Sequence, residues 1–164
     1  MSLEALTADI CDLDPEHLEV AEPILRHFGG RLRFHGTVST IKVHDDNVLV
    51  REALEKPGHD RVLVVDGGGS CRRALLGDRL AGMAAENGWS GVIVNGPIRD
   101  SAEIARIELG VMALATCPKK SRKNRDGQTG VSVSFAGITI RDGQYVYADE
   151  DGVVLVPAPI HGGA

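Results

Sequence analysis

Aromatic side chains are scarce in this sequence: one Trp, two Tyr and three Phe in 164 residues. Proteins that bind nucleic acid by stacking need aromatic platforms, so that class is excluded. The net charge of −5 at pH 7 argues against a broad nucleic-acid footprint, yet it allows a local positive field around a small anion. Only Cys11, Cys71 and Cys117 carry thiols, with no Cys-x-x-Cys among them, which removes a zinc knuckle and a disulfide framework. No apolar run approaches the roughly 20 residues of a membrane span, and Met1-Ser2-Leu3-Glu4-Ala5 lacks the regions of a signal peptide. The expectation is a cytoplasmic protein with reduced thiols.

Other proportions are ordinary, with 43% hydrophobic and 25% charged residues. The length suits one domain with a sizeable core, expected to span residues 1–164. Glycine is abundant at 20 residues. A core poor in aromatics must rest on Val, Ile, Leu and Ala, and the glycines imply many tight turns.

Periodicity divides the chain into textures. The first 27 residues read as helical turns, including Ala8–Asp12 and Pro15–Leu18. Residues 31–43 alternate with period two and predict strands. Asp45 and Asp46 are N-cap candidates for a helix from about Asn47 to Lys56. Arg61–Asp66, Gly91–Asn95 and Val111–Ala115 are short apolar runs that read as buried parallel strands. Between them, one helix is predicted from Gly77-Asp78 to Glu86 and a shorter one is capped by Ser101, giving βαβαβ with right-handed crossovers. Lys119–Arg125 is a basic loop, whose ordinary reading is a solvated surface and whose alternative is a grip on a second substrate carboxylate. Val131–Phe135, Ile138–Arg141, Tyr145–Ala148 and Val153–Val156 predict antiparallel strands joined by glycine-containing turns.

Gly67-Gly68-Gly69-Ser70 after the first parallel strand invites a phosphate-loop reading. Arg72 stands where a dinucleotide fingerprint requires glycine, and no Gly-Lys-Ser/Thr follows. These glycines are expected to let backbone pass close to backbone. Gly77-Asp78 and Arg99-Asp100 carry more chemistry. Loops at the carboxyl ends of adjacent parallel strands converge on one crevice, and helix N-termini favour anions. Two readings follow from spacing alone. Either a helix N-terminus, a guanidinium and two carboxylates line a site for a small carboxylate and a divalent cation, or Asp78 and Ser101 are N-caps beside a surface turn.

Several segments together resemble a known family. Phe28-Gly29-Gly30-Arg31, Val62 through Ser70, Arg73 through Asp78, Gly88-Trp89-x-Gly91 and Tyr147-Ala148-Asp149-x-Asp151-Gly152 are similar to the regulator of ribonuclease activity A family, which includes class II 4-hydroxy-4-methyl-2-oxoglutarate aldolases. The aldolase branch carries Asp, twenty residues, then Arg-Asp, and here Asp78 is followed after twenty residues by Arg99 and Asp100, with Glu103 three places on. The resemblance implies an α/β fold: a single β/β/α three-layer swivelling domain with a central parallel sheet and a second antiparallel sheet. It further implies a homotrimer. Gly77, Asp78, Arg79 and Leu80 would bind the pyruvoyl unit, mainly through backbone amides. Arg99 would contact its keto and carboxylate oxygens, and Asp100 would hold Mg²⁺ or Mn²⁺. Its regulatory branch implies instead a non-catalytic protein that binds and inhibits ribonuclease E; Asp100, which that branch can lack, separates the two.

These residue types suit retro-aldol cleavage of a 4-hydroxy-2-oxo acid and decarboxylation of oxaloacetate. Both reactions leave a pyruvate enolate, whose charge a cation and a guanidinium stabilise. Schiff-base chemistry would require a lysine in the α/β part, and none occurs between Lys56 and Lys119. The expected partner is therefore a small 2-oxo acid, with no nucleic acid and no membrane.

Overall fold

The computed structural model describes residues 6–160; Met1–Ala5, including the segment read as lacking a signal peptide, and residues 161–164 lie outside it. Chain order is α1 (Thr7–Leu13), β1 (Glu19–Val20), β2 (Arg26–His27), β3 (Phe34–Lys42), α2 (Val48–Leu54), β4 (Val62–Asp66), α3 (Asp78–Glu86) and β5 (Gly91–Ile98). Next come α4 (Ser101–Ile104), β6 (Gly110–Thr116), β7 (Gln128–Thr129), β8 (Val133–Phe135), β9 (Ile138–Ile140), β10 (Tyr145–Asp149) and β11 (Gly152–Val156). The three predicted parallel strands are present as β4, β5 and β6, and β3 joins them as a parallel neighbour of β4.

The main sheet runs β1-β11-β10-β3-β4-β5-β6-β2, with β7 on β3. Its curl comes from β3, whose two halves serve different partners. Phe34–Thr37 pairs antiparallel with β10, and Val38–Lys42 pairs parallel with β4. The predicted antiparallel layer is thus continuous with the parallel one through β3. Only β8 and β9 form a separate two-stranded sheet among the described residues.

Side-chain alternation along the strands separates two cores. Leu63 and Val65 face the helices and pack with Leu54, Ala81, Ala84 and Ile104. Val62 and Val64 face the other way and pack with Val146, Ala148, Val153 and Leu155 of the antiparallel strands, and with Ile138 and Ile140. The result is the α/β, β/β/α layering that the resemblance implied. A third cluster, Ile10 with Tyr147, Val154 and Val156, sits under α1.

Several local expectations were wrong. The N-cap of α2 is Asn47 rather than Asp45 or Asp46, although Asp46 Oδ1 accepts the Val48 N–H at 3.0 Å. Pro15–Leu18 is not helical; it makes a turn in which His17 N–H donates to the Asp14 carbonyl, and β1 follows. Ser101 is not a cap either. Asp100 occupies the N-cap position of α4, and Ser101 is that helix's first residue. No described helix is long and apolar enough to cross a membrane.

Candidate active site

The site is built where β5 leaves the sheet. A register shift between Val94 and Pro97 accommodates the proline, which has no N–H to give a ladder. Beyond it, residues 74–77 run beside the strand end like an extra partner. Leu75 N–H donates to the Pro97 carbonyl and Arg99 N–H to the Leu76 carbonyl, both at 2.9 Å. This pairing brings Gly77-Asp78 against Arg99-Asp100. Upstream, Gly67 lies against β5: its N–H donates to the Asn95 carbonyl at 3.0 Å, and a Cβ there would stand 2.9 Å from the same oxygen. Gly67 is the expected close-approach position; Gly68 and Gly69 have open space beside them and are glycine for their backbone angles instead, with φ of 69° and 77°.

Asp100 has left-handed backbone angles, φ 58° and ψ 42°. That conformation turns its carboxylate toward α3, where Oδ2 accepts the Asp78 N–H at 3.1 Å. A Cβ on Gly77 would meet the same oxygen at 2.9 Å, which accounts for glycine there. The Asp78 backbone N–H holds the Asp100 carboxyl below the usual carboxylate range; burial opposes this, and the Asp78 side chain and Arg99 charge reinforce it. The anion at the N-terminus of α3 is therefore the protein's own. Since Ala81 N–H to the Gly77 carbonyl is the first bond of the α3 ladder, the Arg79 and Leu80 amides have no intrahelical acceptor. The N-cap reading of Asp78 is set aside, because Gly77 holds that position. The one-turn α4 does not supply the second anion-binding helix end that spacing suggested.

Gly77, Asp78, Arg79, Leu80, Arg99 and Asp100 line one cavity of about 620 Å³. All the residues singled out at these two loops are brought together. Glu103 is exposed and lies apart from the lining, as does the exposed Cys71. The rest of the lining comes from Asn47 and Arg51 of the α2 region, which escaped the sequence reading, and from Lys120, Ser121 and Lys123 of the basic loop, for which a place at the substrate is the alternative reading. That loop is exposed, as predicted, but it is also stitched down. Ala74 N–H donates to the Lys119 carbonyl at 2.7 Å, and Ser121 Oγ to the Ala74 carbonyl at 2.6 Å. Asn124 N–H donates to Oδ2 of the fully buried Asp46 at 2.6 Å. Two lysines therefore stand in a site whose central strands contain none, and the argument against Schiff-base chemistry from that gap fails. The only sequence signal for this wall was the charge run itself.

The sequence over residues 7–155 matches the RraA-like family, described as Aldolase/RraA. The chain belongs to the RraA-like family. A relative from Alkalilimnicola ehrlichii, named "Putative 4-hydroxy-4-methyl-2-oxoglutarate aldolase", is 58% identical over 91% of this chain and 92% of its own. Among solved structures, the RNA-processing inhibitor RraA from Thermus thermophilis superposes with a TM-score of 0.94 at 46% identity, covering 98% of both chains. A Geobacillus kaustophilus structure named S-adenosylmethionine: 2-dimethylmenaquinone methyltransferase has a TM-score of 0.93 at 50% identity, covering 97% of this chain and 99% of its own.

For this RraA-like site the donor chemistry decides which cation would fit. The described residues contain no cluster of three or more His, Cys, Asp or Glu side chains suited to a metal ion. Asp100 and Asp78 are two hard oxygen donors at the edge of an open cavity. A cation that keeps most of its water and takes one or two carboxylates, as Mg²⁺ does, fits that set. A soft metal would find no thiolate or imidazole on this wall.

Proposed function

We propose that this RraA-like protein is a divalent-metal-dependent class II aldolase. It cleaves 4-hydroxy-4-methyl-2-oxoglutarate, or a similar 4-hydroxy-2-oxo acid, to pyruvate, and decarboxylates oxaloacetate as a second activity. One observation carries the reading: Asp100, anchored on the Asp78 amide with Arg99 beside it, shares a cationic cavity with Arg79 and Leu80 of the first turn of α3. The aldolase name of relatives at 50–58% identity supports it.

The residue roles follow from charge. The Arg79 and Leu80 amides would take the pyruvoyl carboxylate, and Arg99 would donate to its keto oxygen. The C3–C4 bond breaks, its electron pair moves into the pyruvoyl unit, and negative charge develops on that oxygen, where a preorganised guanidinium is most effective. Asp100 would hold a divalent cation, which would supply further Lewis-acid stabilisation of the same charge. The C4 hydroxyl gives up its proton to a water that Asp78 would hold and becomes the keto group of the second product, and the enolate takes a proton back at C3 to leave as pyruvate. With 4-hydroxy-4-methyl-2-oxoglutarate both products are pyruvate.

The likeness to the Thermus RNA-processing inhibitor favours a second reading, a non-catalytic protein that binds ribonuclease E. The methyltransferase name of the Geobacillus structure fits less well, since charged walls suit a small anion better than a quinone. A coupled pyruvate assay separates these readings. The aldolase reading expects pyruvate from both 4-hydroxy-4-methyl-2-oxoglutarate and oxaloacetate, lost with chelator and restored with Mg²⁺ or Mn²⁺. No metal-dependent release from either substrate would leave the inhibitor reading standing.

A further inference from the structure

Two of the three thiols lie along one seam, next to the segment that holds Arg99. Ala74 forms a parallel bridge with Lys120, and its N–H donates to the Lys119 carbonyl at 2.7 Å. Cys71 and Cys117 each stand three residues upstream of that bridge, so its register, carried back, sets them opposite each other. The ladder itself ends at Ala74, but the two segments stay together. The Cys117 thiol donates to the carbonyl of Arg72, the residue after Cys71, at 3.4 Å, and Arg73 Nη1 donates to the Lys120 carbonyl at 3.1 Å. Cys71 is exposed, and its thiol donates to the Gly69 carbonyl at 3.7 Å. Gly68 and Gly69 have open space beside them and change backbone angle readily, so this loop can complete the approach that disulfide geometry demands. Cys11 is elsewhere, packed against Ile10 and Tyr147, where burial, then Asp12 and Asp149, push its thiol up. Both seam thiols adjoin bonds that fix the site. Pro118 follows Cys117, and its carbonyl accepts Arg99 Nη1 at 3.4 Å. Ser70 and Arg72 flank Cys71, and both reach the Asp45 carboxylate, at 2.7 Å and 3.4 Å.

We propose that Cys71 and Cys117 are a peroxide-responsive pair, whose reversible disulfide draws the Cys117–Pro118 segment off Arg99. The exposed Cys71 thiolate attacks one oxygen of hydrogen peroxide, the O–O bond breaks, and hydroxide leaves, so that Cys71 becomes a sulfenic acid. The Cys117 thiolate then attacks the Cys71 sulfur; the S–O bond breaks and a second hydroxide leaves. The two thiol protons convert both hydroxides to water. One peroxide is reduced, and each sulfur is oxidised by one electron. A dithiol restores both thiols by exchange. The bond itself asks nothing of the proposed activity; its effect on pyruvate release rests on the aldolase reading.

The test treats the full chain with hydrogen peroxide and maps its peptides without reduction. Titratable thiols are expected to fall from three to one, with the Cys71 and Cys117 peptides joined within one chain and released by dithiothreitol. Pyruvate release should fall about tenfold or more on oxidation and return with the dithiol. Cys71→Ser and Cys117→Ser each abolish the joined peptide and the loss of activity, while Cys11→Ser keeps both. Cys71→Ser, on the exposed loop, carries the control should Cys117→Ser not fold. No joined peptide, one that contains Cys11, or one that links two chains overturns the pair, whatever the activity. A mapped bond in a protein that releases no pyruvate even when reduced supports the pair and defeats the aldolase reading. A mapped bond that leaves pyruvate release untouched keeps the aldolase reading and overturns the hold on Arg99.

Discussion

The Asp100 carboxylate accepts the Asp78 backbone N–H at 3.1 Å, so the loop leaving β5 is fastened to the first residue of α3. This single bond orients the proposed cation ligand and spends one of the free amides of the helix end. Asp100→Asn separates charge from geometry, because asparagine tolerates left-handed backbone angles and its carbonyl oxygen can accept the same N–H. We expect Asp100→Asn to fold normally and to lower kcat/KM for pyruvate release by about 10³-fold or more. Turnover near the wild-type rate in a folded Asp100→Asn protein would sink the proposed role.

Phe34 makes a second prediction, this time for stability. Its ring is buried between Gly91 and Gly110, where added Cβ atoms would stand 2.4 Å and 2.1 Å from ring carbons. Glycine at these paired positions of β5 and β6 is the space the ring needs. Gly110→Ala should destabilise the fold by about 1–3 kcal/mol through overpacking, read from urea unfolding. Phe34→Leu should recover part of that loss in the double variant, because the two residues share one contact. Strictly additive effects would mean that Gly110 matters for some other reason.

Tyr145 gives a prediction in pH. Its hydroxyl lies 2.7 Å from His35 Nδ1. Burial, then the nearby Tyr147 and Asp60, push Tyr145 from 10.0 up to about 12. A folded value above the unfolded one means the contribution is complete below pH 10.0 and is lost as pH rises toward about 12. Urea midpoints measured across that window should fall, and Tyr145→Phe should flatten the decline. An equally steep decline in Tyr145→Phe would assign it to other groups.

Local features of the fold were legible. Arg61–Asp66, Gly91–Asn95 and Val111–Ala115 declared themselves as buried strands by their apolar runs and correspond to β4, β5 and β6, while Asp78, Arg99 and Asp100 were picked out by the family resemblance, spacing alone leaving a surface turn open. What the sequence did not disclose is set by distant partners. The curl depends on β3 pairing with β10 at one end and β4 at the other, which no local period encodes. β1 and β2 are two residues each, too short to show any alternation. The Lys119–Arg125 loop looked like a solvated charge run because its position is fixed by bonds to Ala74 and Asp46, roughly 45 and 78 residues away.

Lys123, held by Asn47 at the wall of the same cavity and expected to face the substrate's distal carboxylate, makes a final prediction about how two reactions divide. In aldol cleavage the distal carboxylate keeps its charge, so Lys123 stabilises starting state and transition state alike and acts through binding. In decarboxylation of oxaloacetate the second carboxylate is the group that departs as neutral CO₂. A cation held against it favours the charged ground state and works against the loss. Lys123→Met should therefore depress aldol kcat/KM more than decarboxylation, raising the ratio of decarboxylase to aldolase activity by about tenfold. The two activities can be followed in parallel through pyruvate, with CO₂ release identifying the second. A ratio that stays at its wild-type value while both rates fall would place Lys123 on the shared pyruvoyl end of the substrate instead.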